Sequence, residues 1–343
     1  LILLDQLAAV WFTLLRLAGR APVAGPARFR TDFTSRNAMR ETWSHISREL
    51  LLLPFYPLPA KTRINADRWL RGREEHRKLQ LADYILMSWG KSGRTWLRVM
   101  MSRYYQQKYG IPAKYMLGFD NYHKMNPAVP RVFFTHGNYL RNYTGRWDDK
   151  QDFYGKKIVM LVRDPRDVAV SQFFQWKYRM KRRKKALNWY PPHNADISVF
   201  DFVMNEEAGL PCIIQFFNIW ARELPKVAGS VVIRYEDMRK EPELALQRIF
   251  DFLGTPGTEA EIRDAVDYAA YENMKKLEEK NAFKASGARL VPGKKGDPKT
   301  YKVRRAKVGG YRDYFDDGQL AQIDAMVEET MLPDFGYGGK AGA

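Results

Sequence analysis

A chain of 343 residues, 45% of them hydrophobic, can bury one large α/β core or two smaller ones. Its net charge of +18 and pI near 9.8 call for an anionic partner, whether nucleotide, nucleic acid, acidic lipid or sulfated product. The single cysteine, Cys212, excludes an intrachain disulfide and fits a reducing, cytoplasmic location, and five scattered histidines give no zinc or haem spacing.

Residues 1–18 are mostly apolar but carry Asp5 and Arg16, whereas a full membrane crossing wants roughly 20 apolar residues. Three readings stay open: an interfacial or docking helix, a truncated membrane anchor, or a helix of the protein's own core. If the segment enters a membrane, the basic flank from Arg16 through Arg40 holds the main body on the cytoplasmic side. Residues 50–59 form a second apolar patch broken by prolines, fit for a surface anchor or the lid of an apolar pocket. Residues 61–78 are strongly charged and read as a solvated helix or connector, so residues 1–78 form an extension and the chemical domain is expected over 79–335.

The stretch that organises the chain follows. A β-rich apolar run, Tyr84 to Met87, stops at a small-residue turn, Gly90-Lys91-Ser92-Gly93, and a helical pattern begins with Trp96, Val99, Met100 and Arg103. Strand, tight loop and helix aim backbone N–H groups and a helix N-terminus at one anion, with Lys91 adding a point charge and Ser92 and Thr95 adding hydroxyl donors. The ordinary nucleoside-triphosphate loop wants a glycine five residues before Gly90, and Ile85 stands there. An ordinary strand-to-helix turn is the bland alternative.

Further on, 131–135 reads as a strand with His136 at its C-terminal end, where open parallel sheets place their ligands and where a histidine can take a proton from an alcohol or phenol. A hydrogen-bonded structural histidine is the competing reading. Residues 157–162 are continuously apolar, the mark of a central strand covered on both faces. They run into Arg163-Asp164-Pro165, in which Asp164 suits an N-cap and Pro165 the first helical turn, so that Arg163 and Ser171 can face one phosphate. The basic run 177–185 reads as a solvated helix end or as a surface for acidic lipid or an anionic acceptor. Residues 230–234 predict another short strand, 259–280 a helix, and 284–312 a basic, glycine-bearing lid; the tail 336–343 is expected to fray.

These motifs together resemble the PAPS-dependent, cytosolic-type sulfotransferases. Lys91-Ser92-Gly93-Arg94-Thr95-Trp96-Leu97 is similar to their 5′-phosphosulfate loop, and Arg163-Asp164-Pro165-Arg166-Asp167-Val168-Ala169-Val170-Ser171 to their 3′-phosphate motif. The stretch ending Phe134-Thr135-His136 resembles a segment ending Lys-Thr-His, and 304–315 resembles the basic glycine segment. The resemblance implies a P-loop-like three-layer α/β fold with a mainly parallel sheet. It also implies transfer of a sulfuryl group from 3′-phosphoadenosine-5′-phosphosulfate (PAPS) to a hydroxyl or amine, releasing adenosine 3′,5′-bisphosphate (PAP), with no metal required. By position, His136 becomes the base, with Lys91 stabilising the leaving phosphate. Residues 91–95 hold the 5′-phosphosulfate, Trp96 stacks near the adenine, Tyr235 lies beside the adenosine, and Arg163, Ser171, Arg304 and Arg305 hold the 3′-phosphate.

Four departures stand out. Phe134 replaces the lysine two residues before the histidine, Arg94 replaces a threonine, Ala306 a glycine and Arg312 a lysine. The loss at position 134 motivates a second reading, a nucleotide-binding subunit of a membrane-associated complex with impaired catalysis; a magnesium-dependent P-loop kinase or hydrolase is a third. The expected partners are PAPS and a small-molecule or lipid hydroxyl acceptor, with a membrane surface or membrane protein meeting residues 1–60, nucleic acid disfavoured and a homo-oligomer compatible. The expected location is peripheral, on the cytoplasmic face of a membrane.

Overall fold

The computed structural model describes residues 48–147, 149–286 and 290–339. The apolar segment 1–18, its basic flank and the last four residues of the tail lie outside them.

The sheet follows from the two apolar runs. Strands β1 (Tyr84–Ser88), β2 (Val132–Thr135), β3 (Lys157–Val162) and β4 (Gly229–Arg234) form one parallel sheet in the order β2-β1-β3-β4. Alternate side chains feed two cores: Leu86, Val159, Leu161 and Ile233 pack on one face, and Ile85, Met87, Ile158, Met160 and Val162 on the other. Burial on both faces accounts for the continuous apolar spelling of β1 and β3. Each such side chain contributes roughly 1.5–3 kcal/mol when fully buried. The result is a three-layer α/β fold.

Register sets the functional edge. Met87 lies opposite Thr135 and Met160, and Leu161 opposite Ser88 and Ile233, so the four strands finish together. Helix α2 (Arg94–Tyr109) leaves β1 on the side of the first core, and α4 (Pro165–Tyr178) leaves β3 on the side of the second. Preceding them, α1 (Ala60–Leu81) packs on α3 (Leu140–Thr144), which follows β2.

Several elements differ from expectation. Helix α1 is not merely solvated: Asp67, Arg68, Gly72 and Leu79 are buried along one face, and the helix runs through position 79. A Cβ on Gly72 would meet the Tyr139 carbonyl oxygen at 2.3 Å, so the glycine lets α1 close onto the chain after β2. Between α2 and β2, Asn121–Met125 is one short helix. The predicted helix 259–280 is two, α5 (Glu259–Tyr268) and α6 (Tyr271–Glu279), separated at Ala269 and Ala270. Among the described residues no helix is long and apolar enough to cross a membrane.

Candidate active site

Three strand ends meet a cavity of about 520 Å³. Lys91, Gly93, Arg94, Thr95 and Trp96 from the β1 loop and the start of α2 line it, with His136 just past β2, Arg163 just past β3 and Ser171 on α4. Tyr235 beyond β4 and Arg304, Arg305 and Ala306 from the basic segment complete its wall. Ser92 lies behind the loop, fully buried, its hydroxyl without a partner.

The β1 loop reaches its shape through two left-handed residues, Lys91 at φ 75 and Gly93 at φ 92. Gly93 caps α2 and its carbonyl accepts from the Trp96 and Leu97 N–H groups at 3.0 and 3.2 Å, which leaves the N–H groups of Arg94 and Thr95, both cavity-lining residues, without an intrahelical acceptor. A Cβ on Gly93 would stand 2.5 Å from Tyr235 Cδ2, which fixes glycine there by contact as well as by conformation.

Arg163 is held from three sides. It donates to the carbonyls of Lys91 and Lys307, each at 3.2 Å, and to Asp167 Oδ2 at 3.2 Å, and its Cζ lies 4.4 Å from the Tyr235 ring centroid. Its Nε is buried without a partner. Asp164 caps α4 by accepting from the Arg166 N–H at 2.9 Å. Arg304 lies over the Phe174 ring at 3.8 Å and donates to the Tyr314 hydroxyl, whereas Arg305 is more exposed and pairs with Asp313 at 2.6 Å. Ala306 sits at φ 52, a left-handed conformation that costs a non-glycine residue about 1–2 kcal/mol, which is why glycine would suit the position. Trp96 donates from Nε1 to the Ala269 carbonyl at 2.9 Å and meets Tyr235 edge to face at 6.1 Å.

The charges packed behind the site were not legible in the sequence. Glu278, fully buried, accepts from the N–H groups of Lys302 at 2.7 Å and Val303 at 3.0 Å, and Arg179 lies 3.5 Å from it. Burial, with the neighbouring Arg179, Arg163 and Arg304, brings Lys91 down to about 7, and Glu278 acts in the opposite direction. Burial and Lys91 likewise bring Lys302 down to about 7. Like charges crowded around one acid make a site whose missing component is an anion.

His136 projects from the end of β2. Its Nδ1 lies 2.6 Å from the Ser88 carbonyl oxygen, so this nitrogen carries the proton and donates. Nε2 then offers a lone pair, 2.7 Å from Arg94 Nη2. Burial and Arg94 hold the imidazole well below its ordinary range, so it is neutral at physiological pH. Phe134 faces the other core, with Arg98 3.8 Å above its ring, and does not line the cavity.

The residues fit a doubly phosphorylated nucleotide. Arg163 Nε, buried on a residue of the cavity wall, has no partner in the protein, and a Cβ at Gly93 would run into the ring of Tyr235, which lines the same cavity. The sequence matches the family model described as "Sulfotransferase domain" over residues 81–333. It is 24% identical over 277 residues to cytosolic sulfotransferase 15 of Arabidopsis thaliana, covering 73% of this chain and 72% of that protein. It is also 24% identical over 180 residues to flavonol 3-sulfotransferase of Flaveria bidentis, covering 51% of this chain and 54% of that one. Among solved structures, retinol dehydratase in complex with androsterone and inactive cofactor PAP superposes with a TM-score of 0.50 at 20% identity, over 76% of this chain and 86% of that one, a likeness of fold alone. The match over most of its length places this chain in the sulfotransferase domain family.

Proposed function

We propose that His136 is the general base and Lys91 the leaving-group stabiliser in transfer of a sulfuryl group to a hydroxyl acceptor. The supporting observation is that His136, Lys91 and Arg163 line a single cavity from three adjacent strand ends. When bound, PAPS supplies the sulfuryl group and leaves as PAP. Neutral His136 takes the acceptor proton at Nε2 as the new oxygen–sulfur bond forms and the old bond to the phosphate oxygen breaks. Lys91 and the N–H groups at the start of α2 meet the charge that gathers on that phosphate. Arg163, Ser171, Arg304 and Arg305 hold the 3′-phosphate, with Trp96 and Tyr235 beside the base and sugar. Arg94, on the lone pair of the base, moves to the sulfuryl oxygens when the donor binds and stands in for the lysine absent at position 134.

Residues 1–78 form an extension to this domain, and the segment up to residue 60 is its membrane- or partner-facing part, peripheral on the cytoplasmic face. The exposed Leu50, Leu53 and Tyr56 support that surface role.

Radiolabelled PAPS with a panel of phenols and alcohols tests the chemistry. His136→Ala should keep PAP affinity and lower turnover by roughly 10²–10⁴-fold, the usual weight of a positioned base. Lys91→Ala should weaken PAP binding. Undiminished turnover in His136→Ala removes the base. PAP binding by the unmodified protein without transfer to any acceptor favours the binding-subunit reading, which Phe134 and the Arg94–His136 contact motivate.

A further inference from the structure

The strand order divides the cavity. Lys91, Arg163 and the basic segment lie toward β3 and β4, whereas His136 lies off the edge strand β2, and α1, α3 and the Asn188–Tyr190 turn wall the space beyond it. On the proposed function, that β2 end receives the acceptor.

This end is cationic beyond what the protein balances. Thirteen of the side chains around the whole cavity are Lys or Arg and four are Asp or Glu. Asp167 serves Arg163 at the donor end. Asp152 lies 3.7 Å from Arg146, and Asp149 and Asp152 both lie in electrostatic range of Lys150. Arg68, Arg141 and Lys184 have no carboxylate in ion-pair contact among the described residues. Arg68 is 3% exposed, donates to the Leu187 carbonyl, and lies over the rings of Tyr139 at 5.5 Å and Trp189 at 5.4 Å. The nearby Glu75 is occupied by the Tyr139 and Leu140 N–H groups at 3.1 and 2.9 Å. Arg141 touches the Trp147 ring at 4.7 Å and lies in electrostatic range of Arg68 and Lys150. Lys184, open to the cavity, lies in range of Arg94 and His136. A buried guanidinium without a carboxylate, in range of Arg141 on a cavity wall that also carries Lys184, is costly unless an anion joins it.

We infer that the acceptor carries an oxyanion of its own (carboxylate, phosphate or sulfate) in addition to the hydroxyl that is sulfated. Arg68, with Arg141 and Lys184, seats that group, and the rings of Tyr139 and Trp189 flank the body of the acceptor. Selection therefore rests on charge at the far end of the acceptor and on the base at the near end.

The test compares 3-(4-hydroxyphenyl)propionate with its neutral counterpart 4-propylphenol as ligands of the PAP-loaded protein, by calorimetry at low and high salt, and as acceptors of radiolabelled sulfuryl. The carboxylate should bind at least about tenfold more tightly, as expected for a charge-assisted pair, and added salt should shrink the difference. Arg141→Met and Lys184→Met, both at exposed positions, should each narrow the ratio between the two ligands. Equal or weaker binding of the carboxylate, or a preference that both substitutions leave intact, overturns the inference. Transfer to 4-propylphenol alongside PAP binding would then leave the sulfotransferase reading standing, whereas failure of PAP to bind would bring down that reading itself.

Discussion

Arg94 Nη2 and His136 Nε2 stand 2.7 Å apart, the cation on the lone pair that must accept the acceptor's proton. Burial, and then this contact, push the imidazole down, so the base stays unprotonated well below the ordinary histidine range. In the free enzyme, where Arg94 sits on the base, the acid limb of kcat/KM for PAPS should therefore lie at low pH. Replacing Arg94 with alanine removes one lowering influence and should move that limb to higher pH. If Arg94 also supplies the charge absent at Phe134, the same variant should lose about 10²-fold in kcat on the scale of a lost transition-state donor, with the KM for PAPS changed far less. A pH–rate profile of Arg94→Ala measures both. An unmoved acid limb with undiminished kcat would reduce the contact to a resting-state hydrogen bond.

Lys91, near 7 without ligand, makes a second pH-dependent prediction. A bound phosphate must raise its pKa, so PAP binding takes up protons above neutrality. Affinity should be greatest where free Lys91 is already charged, and should fall as pH climbs from about 7 toward the pKa of the bound state. Calorimetry in buffers of different ionisation enthalpy reads the proton uptake directly. Lys91→Arg should abolish that share of it, because guanidinium keeps its charge throughout. Proton release above neutrality would contradict the sign.

The parts of the site that were legible follow local grammar. Lys91, Arg163 and His136 each sit where an apolar strand gives way to a loop or cap, and the strand ends align because the sheet is parallel. Arg179, Glu278 and Lys302 obey no such grammar. Arg179 stands in a basic run that, by composition alone, belongs to a solvated helix end; it turns inward because Glu278 lies behind it. The same applies to Arg68, one charged residue among many on α1. The available signal was Gly72, a glycine inside a charged helix, which marks close packing and turns Asp67, Arg68 and Leu79 toward the interior. Composition cannot say which charged residues find an anion, since that depends on contacts far apart in the chain.

Asp167 ties the donor end together. Its Oδ1 accepts from the Tyr311 N–H at 2.9 Å, and its Oδ2 from the Gly309 N–H at 3.0 Å and from Arg163 at 3.2 Å. Asp167→Ala would leave two backbone donors to find new partners, at about 1–3 kcal/mol for each that stays buried and unpaired. Because those donors hold the basic segment over the cavity, stability and PAP affinity should fall together, and the chain near Lys307 should become more sensitive to trypsin. Denaturant titration, calorimetry and a timed digest check the three. Weakened stability with PAP affinity unchanged would separate the segment from the nucleotide.

Glu278 provides the sharpest electrostatic test because it is the acid that faces Lys91, Arg179 and Lys302 together. Glu278→Gln retains the size of the side chain, removes its charge and leaves one oxygen to serve the Lys302 and Val303 N–H groups. The free protein should lose stability, since the cations then repel one another uncompensated. Glu278 holds the Lys91 ammonium in its charged form, so its loss should lower the Lys91 pKa further. The onset of the decline in PAP affinity should accordingly shift below pH 7, while saturating PAP, which brings negative charge of its own, should raise the variant's melting temperature more than it raises that of the unmodified protein. Thermal melts with and without PAP, repeated from pH 6 to 9, decide the matter. An equal shift in both proteins would mean that the cations around Lys91 are balanced by some means other than Glu278 and the nucleotide.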